Sequence, residues 1–209
     1  MPSLTEVIRD HAPVLVVDTA SLRVQVGLCR ADGRNRWITG TEEPSAALFA
    51  GLAELEVDLN RVGAFVFCDG PGSVLGIRSA AMAIRVWQTL RPRPAFAYSS
   101  LALVATALGR ANLTVIADAR RDSWHCQQLG GERFRQPTGG LAGDLVTPEY
   151  FRHWSVPPAN VATTPYVIAD LWTATATKDL LRATEAPDAF LAEEPSFVTW
   201  KAQIHRAPM

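Results

Sequence analysis

The chain has 209 residues, of which 48% are hydrophobic and 20% are charged. This composition is globular and far from the low-hydrophobicity, high-charge range of disordered chains, and the length is enough to bury a sizeable core. The formal net charge of −1 gives no global positive field. Autonomous, high-affinity nucleic-acid binding is therefore disfavoured, although a local basic patch is still compatible with this charge.

The cysteines and the apolar runs indicate the compartment. Three cysteines without a CxxC spacing argue against a disulfide framework and suit a reducing environment. No apolar run reaches the roughly 18 residues of a membrane-spanning helix, and residues 1–13 lack the apolar segment of a secretory signal. We therefore expect a cytoplasmic protein without a membrane segment.

In the first half of the chain, apolar periodicity predicts a three-stranded meander and then alternating helices and strands. The aliphatic run that opens the meander ends at Asp18. The predicted strands are 14–18, 24–28, 34–39, 62–68 and 95–98, and the predicted helices are 44–55, 74–90 and 99–108.

In the second half, another aliphatic strand, 113–118, ends at Asp118 and is followed by a hairpin over 124–136. The order of strand, acid, turn and hairpin thus occurs twice, which indicates an internal duplication. The weaker pattern beyond Pro137 predicts a helix from Thr147, short strands at 161 and 166–169, a helix over 174–186 and an extended tail over 194–198.

The segment Gly70-Pro71-Gly72-Ser73 joins a predicted strand to a predicted helix. Glycines allow close backbone approach, and a serine at a helix N-terminus can cap the helix or bind an anion. Two interpretations are open: a tight structural turn, or an anion or nucleotide site that includes Gly70, Gly72, Ser73 and Arg78. The segment is neither a Walker loop nor GxGxxG.

No catalytic set emerges from the remaining motifs. Strand-end acids of actin-like folds can hold a metal near a phosphate, but no glycine directly follows Asp18 or Asp118, so turn capping and salt bridging are the expected roles. The four histidines form neither an HxxxH nor an HExxH pair, and no GxSxG elbow exists. The sequence therefore predicts no metal site and no catalytic residue.

Five segments, in order, resemble the motifs of one family. They are residues 14–21 (VLVVDTAS, like ILAIDTS), 70–78 (GPGSVLGIR, like GPGSFTGLR), 98–101 (YSSL, like VSSL), 118–122 (DARRD, like DARRGE) and 194–195 (EP, like the start of EPxYLR). On these motifs the chain resembles the TsaB/YeaZ family, the non-catalytic relatives of the TsaD proteins within the glycoprotease-like superfamily.

The resemblance implies an α/β, actin-like (ASKHA) fold with two lobes, each a mixed β-sheet flanked by helices. The implied ranges are 1–97 for the first lobe, 98–188 for the second, and 189–209 for a segment that returns to the first. It also implies a protein that is not an enzyme, binds no cofactor, and supports a TsaD-like threonylcarbamoyltransferase in N6-threonylcarbamoyladenosine modification of tRNA.

The helix over 74–90 has apolar or small residues around more than one face, which indicates burial on several sides. We expect it to pair with the 44–55 helix and to form a surface for a TsaD-like protein or for a second copy of the chain. The predicted interface residues are Leu48, Leu52, Ala80, Met82, Ala83 and Trp87. The alternatives are a nucleotide-dependent ASKHA enzyme, a metallopeptidase-like protein, or a homodimeric remnant without a TsaD partner.

Overall fold

The computed structural model describes residues 1–189. The helices are α1 (Leu4–His11), α2 (Pro44–Glu54), α3 (Val74–Leu90), α4 (Ser100–Leu108) and α5 (Ile168–Thr175), and a 3-10 turn covers Thr138–Gly140. The strands are β1 (Val14–Asp18), β2 (Val24–Cys29), β3 (Arg36–Gly40), β4 (Ala64–Gly70), β5 (Ala95–Ser99), β6 (Leu113–Asp118), β7 (Ser123–Gln128), β8 (Phe134–Pro137), β9 (Asp144–Pro148), β10 (Val161–Thr164) and β11 (Arg182–Thr184).

The strands form two mixed sheets with corresponding orders. The first sheet runs β11-β5-β4-β1-β2-β3 and the second β10-β9-β6-β7-β8. The central strands, β1 and β6, are each antiparallel to the next strand in sequence and parallel to β4 or β9 on their other side. Asp18 and Asp118 end these equivalent strands, as the internal duplication predicts. The α/β class with two mixed sheets flanked by helices is confirmed.

The first sheet is covered on both faces, which explains why every residue of β1 is buried. Leu15 and Val17 pack in one core cluster with residues of α2 and α3. Val14 and Val16 pack in the other, which also includes residues of α1, α4, α5 and the second sheet. A smaller cluster around Trp124 lies within the second sheet.

Four predictions for secondary structure were wrong. The helix expected over 174–186 is one of them, because β11 lies within that range as a strand that pairs with β5. Helix α1 was not predicted, although Ser3 and Glu6 form a capping box at its start. The segment around Thr147 was predicted as a helix but forms β9, because it pairs with β6 and buries Leu145 and Val146. Helix α5 occupies 168–175, where a strand and the start of a later helix were expected; its apolar face packs against α4.

The chain rejoins the first sheet at β11, which pairs with β5. This return lies inside the range 98–188 that the family resemblance implies for the second lobe. The lobe boundaries stay a prediction, and the expected extended tail around Phe197 lies outside the described residues. Among residues 1–189, no helix combines the length and apolarity needed to cross a membrane.

Candidate functional site

The glycine-rich loop connects β4 to α3. Gly70 ends β4 with a φ of +122°, and Ser73 is the N-cap of α3, accepting the N–H of Gly76 at 3.3 Å. The predicted anion-site residues do not converge on one cavity. Gly70 and Gly72 line a space of about 120 Å³, whereas Ser73 lines another of about 620 Å³. Arg78 is exposed on α3 and lines neither.

The loop is held tightly against the turn between β1 and β2. The N–H of Ser73 donates to the carbonyl of Ala20 at 2.7 Å, and the Ser100 hydroxyl donates to the carbonyl of Pro71 at 2.6 Å. A Cβ atom at Gly72 would lie 2.4 Å from the Ala20 carbonyl oxygen. These contacts favour the structural-turn interpretation of the motif, while the anion site stays a prediction.

Gly72→Val is expected to lower the free energy of unfolding by about 1–3 kcal/mol, because the new side chain meets backbone that cannot move aside cheaply. Gly139→Val is the matched control, since a Cβ there meets nothing within 4 Å. Chemical denaturation of the two variants measures the difference. Equal losses at both positions would contradict a strained loop.

Asp18 has both carboxylate oxygens occupied by donors from the protein. Oδ2 accepts the hydroxyls of Tyr98 at 2.6 Å and Tyr166 at 2.7 Å, and Oδ1 accepts the N–H of Ala20 at 3.0 Å. Burial raises the pKa of Asp18 and outweighs these hydrogen bonds, which lower it. Burial also raises the pKa of both tyrosines well above the ordinary value, so their hydroxyls keep the protons that they donate.

Gln25, the register partner of Asp18 on β2, binds the same distant segment. Its Nε2 donates to the carbonyl of Tyr166 at 2.9 Å, and its Oε1 accepts the N–H of Ile168 at 2.8 Å. The adjacent polar side chains of β1 and β2 therefore hold the chain between β10 and α5 against the first sheet. Asp18 and Gln25 therefore have a structural role, because their hydrogen bonds join distant parts of the chain.

Asp118 has a comparable capping role in the second sheet. Its Oδ1 accepts the N–H of Arg120 at 2.5 Å, and its Oδ2 accepts the N–H groups of Trp154 at 2.6 Å and Ser155 at 2.5 Å. Burial raises the pKa of this carboxyl, but the backbone donors outweigh burial and hold the pKa below its ordinary value. Like Asp18, Asp118 caps the turn that follows its strand.

The space between the glycine-rich loop and the Asp118 turn is small. Its volume of about 120 Å³ is well below the roughly 300–1,000 Å³ of small-molecule pockets. Besides Asp118, the space is lined by Asp69, which accepts from Arg182 Nη2 at 2.6 Å. Burial raises the pKa of Asp69, and Arg182 opposes that shift. Within residues 1–189, no three His, Cys, Asp or Glu side chains are grouped to hold a metal ion.

The six predicted interface residues lie on α2 and α3, which pack together as expected. Four of them are buried and belong to the chain's own core: Leu48, Leu52, Ala80 and Trp87. Ala83 packs partly against that core, and Met82 is 57% exposed. Contact between these residues and a partner stays a prediction. Met82 is the member of the set whose side chain is exposed enough to make such a contact.

The exposed face of α3 carries large apolar side chains, of which the sequence analysis selected Met82 alone. Leu75, Met82, Val86 and Leu90 are 54–79% exposed and recur at helical spacing along one stripe. Phe49 of α2 is 55% exposed and makes an edge contact with Trp87. We call Phe49, Leu75, Met82, Val86 and Leu90 the apolar stripe. An exposed apolar surface of this kind is typical of an interaction site.

Sequence reasoning also missed the residues that surround the two acids. Tyr98 was quoted only as part of a motif, and Tyr166, Gln25 and Trp154 carried no local signal. Tyr98 and Tyr166 lie 80 and 148 residues from Asp18, a separation that periodicity cannot bridge. Gln25 falls on the polar side of the alternating pattern of β2, so its burial could not be predicted from the sequence either.

No protein-family model matches this sequence, and no curated protein matches it. Solved structures do share its fold. YeaZ from Pseudomonas aeruginosa is 24% identical with a TM-score of 0.57, over 77% of this chain and 89% of that one. A structure described as an uncharacterized protein with similarity to peptidase YeaZ from Pseudomonas aeruginosa is 23% identical with a TM-score of 0.58, over 77% and 88%. The actin-like fold expected from the motifs is therefore confirmed.

Proposed function

We propose that this chain is a cytoplasmic, non-enzymatic member of the TsaB/YeaZ family that supports a TsaD-like threonylcarbamoyltransferase in tRNA modification. The observation that carries the proposal is the apolar stripe on a fold shared with YeaZ structures. The five sequence motifs and the shared fold both support this family.

The use of the two strand-end acids supports a role other than catalysis. Asp18 and Asp118 each accept three or more hydrogen bonds from protein donors. A metal ion that used either carboxylate would first have to displace some of those donors. An actin-like enzyme would need these two acids to hold its cofactor, whereas in this chain they cap the turns that follow their strands.

The composition of the apolar stripe supports a protein partner. Its members are large apolar side chains. Their burial against a partner would stabilise the complex by about 25 cal/mol per Å² of apolar surface removed from water. The core of a stable interface is depleted in charge and rich in such residues. Arg78 and Arg85 lie on the same helix and are exposed, so a partner would meet an apolar centre with charged neighbours.

The experiment is a binding titration of the purified chain with the TsaD-like protein of the same organism. Val86→Glu and Met82→Glu are expected to weaken the complex at least about tenfold, since each places an unpaired charge in a dehydrated contact. Ala174→Glu adds the same charge to an exposed position of α5 and is expected to leave affinity unchanged. No complex with the wild-type chain would overturn the proposal.

The same stripe also suits a second copy of this chain, so homodimerisation is the second candidate. Sedimentation of the wild-type chain alone would then show dimers that Val86→Glu converts to folded monomers. Burial of about 1,200 Å² or more in the complex marks a specific contact.

Tight binding of ATP and magnesium with turnover by the chain alone would reject the non-enzymatic proposal and favour the enzyme alternative.

A further inference from the structure

A cavity of about 420 Å³ lies between the two sheets. Its walls come from β4, β5 and β11 of the first sheet, from the first turn of α4, and from the β7–β8 hairpin of the second sheet. None of the four predicted anion-site residues lines it: Gly70, Gly72, Ser73 and Arg78. Its volume falls within the roughly 300–1,000 Å³ that is usual for small-molecule pockets.

Two arginines from different parts of the chain line this cavity beside one carboxylate. Arg182 of β11 donates from Nη2 to Asp69 Oδ2 at 2.6 Å. Burial lowers the pKa of Arg133, the charge of Asp69 opposes that shift, and the charge of Arg182 adds to it, so Arg133 lies close to both groups. Among residues 1–189, Asp69 is the one acid that lines the cavity. Two guanidinium groups therefore share a single carboxylate there.

Arg182 keeps donors for a further acceptor. Its side chain is 56% exposed, whereas that of Asp69 is 9% exposed. Asp69 accepts from Nη2, and within the described part of the chain no acceptor is bonded to Nε or Nη1 of Arg182. A guanidinium carries five N–H donors in a planar fork that matches a carboxylate or a phosphate. The exposed side of Arg182 can therefore bind an anionic group while its ion pair with Asp69 stays formed.

Hydrogen bonds order the backbone that carries each arginine. Gln127 Nε2 donates to the carbonyls of Gln128 at 2.9 Å and Gly131 at 2.6 Å, which closes the turn before Arg133. Arg182 lies on β11, whose pairing with β5 fixes its position on the first sheet. A site that is already ordered loses less conformational freedom when a ligand binds, so more of the contact energy appears as affinity.

Apolar side chains form other parts of the wall. Ala97 of β5 is buried, and Ala102 of α4 and Leu180 are half-buried. Apolar walls with a few charged groups are typical of pockets for small organic molecules. We propose that this cavity binds a small organic anion, with its carboxylate or phosphate group on Arg133 and Arg182 and its apolar body against Ala97, Ala102 and Leu180. The site is separate from the apolar stripe and from the partner function proposed for it.

The test measures binding of phenyl phosphate and of benzoate to the full chain by calorimetric titration, in a buffer free of phosphate and carboxylate. Saturable binding of at least one probe is expected, and the tighter of the two identifies the anionic group that the site prefers. Inorganic phosphate and acetate are expected to bind at least about tenfold more weakly, because neither has an apolar body to remove from water.

Four variants locate the binding. Arg182→Gln is expected to weaken it about tenfold, since a hydrogen bond to a charged group is lost. Asp69→Asn is expected to tighten it at least about threefold, because the carboxylate that competes for both arginines is removed. Ala102→Leu narrows the cavity and is expected to weaken binding with both arginines in place. Arg110→Gln is the matched control: Arg110 makes a similar ion pair, with Asp144 at 2.7 Å, outside the cavity, and affinity should stay unchanged.

Weaker binding in Arg182→Gln and tighter binding in Asp69→Asn, with Arg110→Gln unchanged, support the inference. Absence of saturable binding of both probes to the wild-type chain overturns it, as does equal weakening in Arg110→Gln. Equal affinity for inorganic phosphate and phenyl phosphate also overturns it, in favour of an inorganic-ion site. If Arg182→Gln does not fold, the opposite effects of Asp69→Asn and Ala102→Leu decide the question. The test uses the chain alone, so its result is independent of the proposed partner function.

Discussion

Asp18→Ala is expected to lower the free energy of unfolding by about 3 kcal/mol. The substitution leaves the buried hydroxyls of Tyr98 and Tyr166 and the N–H of Ala20 without their acceptor. Each unsatisfied buried donor costs about 1–3 kcal/mol, and the removal of a desolvated carboxyl offsets part of that sum. The effect is large because three segments of the chain meet at this one side chain.

Urea denaturation measures the change, with Asp170→Ala as the control because Asp170 is exposed on α5. Tyr166→Phe and Tyr98→Phe each remove one donor and keep the carboxyl, so each is expected to cost less than Asp18→Ala. A loss in Asp170→Ala equal to that in Asp18→Ala would contradict the role assigned to the buried cluster.

The pH dependence of the stability that Asp18 contributes follows from the direction of its pKa shift. The pKa of Asp18 is raised above 3.8 in the folded chain, chiefly by burial, so the folded state binds the proton more tightly than the unfolded state. The stabilisation from protonated Asp18 is therefore complete below pH 3.8 and is lost as pH rises through the folded pKa. Asp18→Asn removes this dependence, and the difference between its stability curve and that of the wild type measures it.

Asp118→Ala is expected to speed hydrogen exchange at the amides of Trp154 and Ser155 at least about tenfold. Both N–H groups donate to this carboxylate, and without it the segment that carries Trp154 loses its anchor to the end of β6. Because the site is partly exposed, water replaces the lost acceptor and the global stability changes less than in Asp18→Ala.

The control for Asp118 is Asp32→Ala, which removes a carboxylate that accepts the N–H of Arg34 in an exposed turn. In Asp32→Ala, hydrogen exchange should become faster at amides of that turn and stay unchanged at Trp154 and Ser155. The pKa of Asp118 is lowered in the folded chain, so its anchoring is present above pH 3.8 and is lost as pH falls through the folded pKa. Unchanged exchange at Trp154 and Ser155 in Asp118→Ala would show that other contacts hold the segment.

Local patterns predicted much of this fold because burial repeats along a strand or helix with a fixed period. The aliphatic runs that end at Asp18 and Asp118 predicted equivalent strands, and the alternation after Val24 predicted β2. The prediction became inaccurate beyond Pro137, where elements are short. There β9 is a strand because it pairs with β6, and pairing with a distant strand leaves no trace in local periodicity.

Which residues of α3 are exposed could not be predicted from the sequence, for a related reason. The sequence indicated that α3 has more than one apolar face, but Ala80 is fully buried and Met82, two residues later, is 57% exposed. Which face is open depends on the rotation of α3 against the first sheet and α2. That rotation is fixed by side chains such as Ile84 and Trp87 in the shared core.

The sequence by itself determined the element types from β1 to α4, the duplicated unit of strand, acid and hairpin, and the glycine-rich loop between β4 and α3. Each is encoded by neighbours within a few residues, through periodicity or turn chemistry. Only the tertiary structure decided that Asp18 accepts from Tyr98 and Tyr166, that Trp154 stacks with Arg120, and that the apolar stripe faces outward. Those contacts join residues far apart in the chain, and they exist because the packing of whole elements brings the residues together.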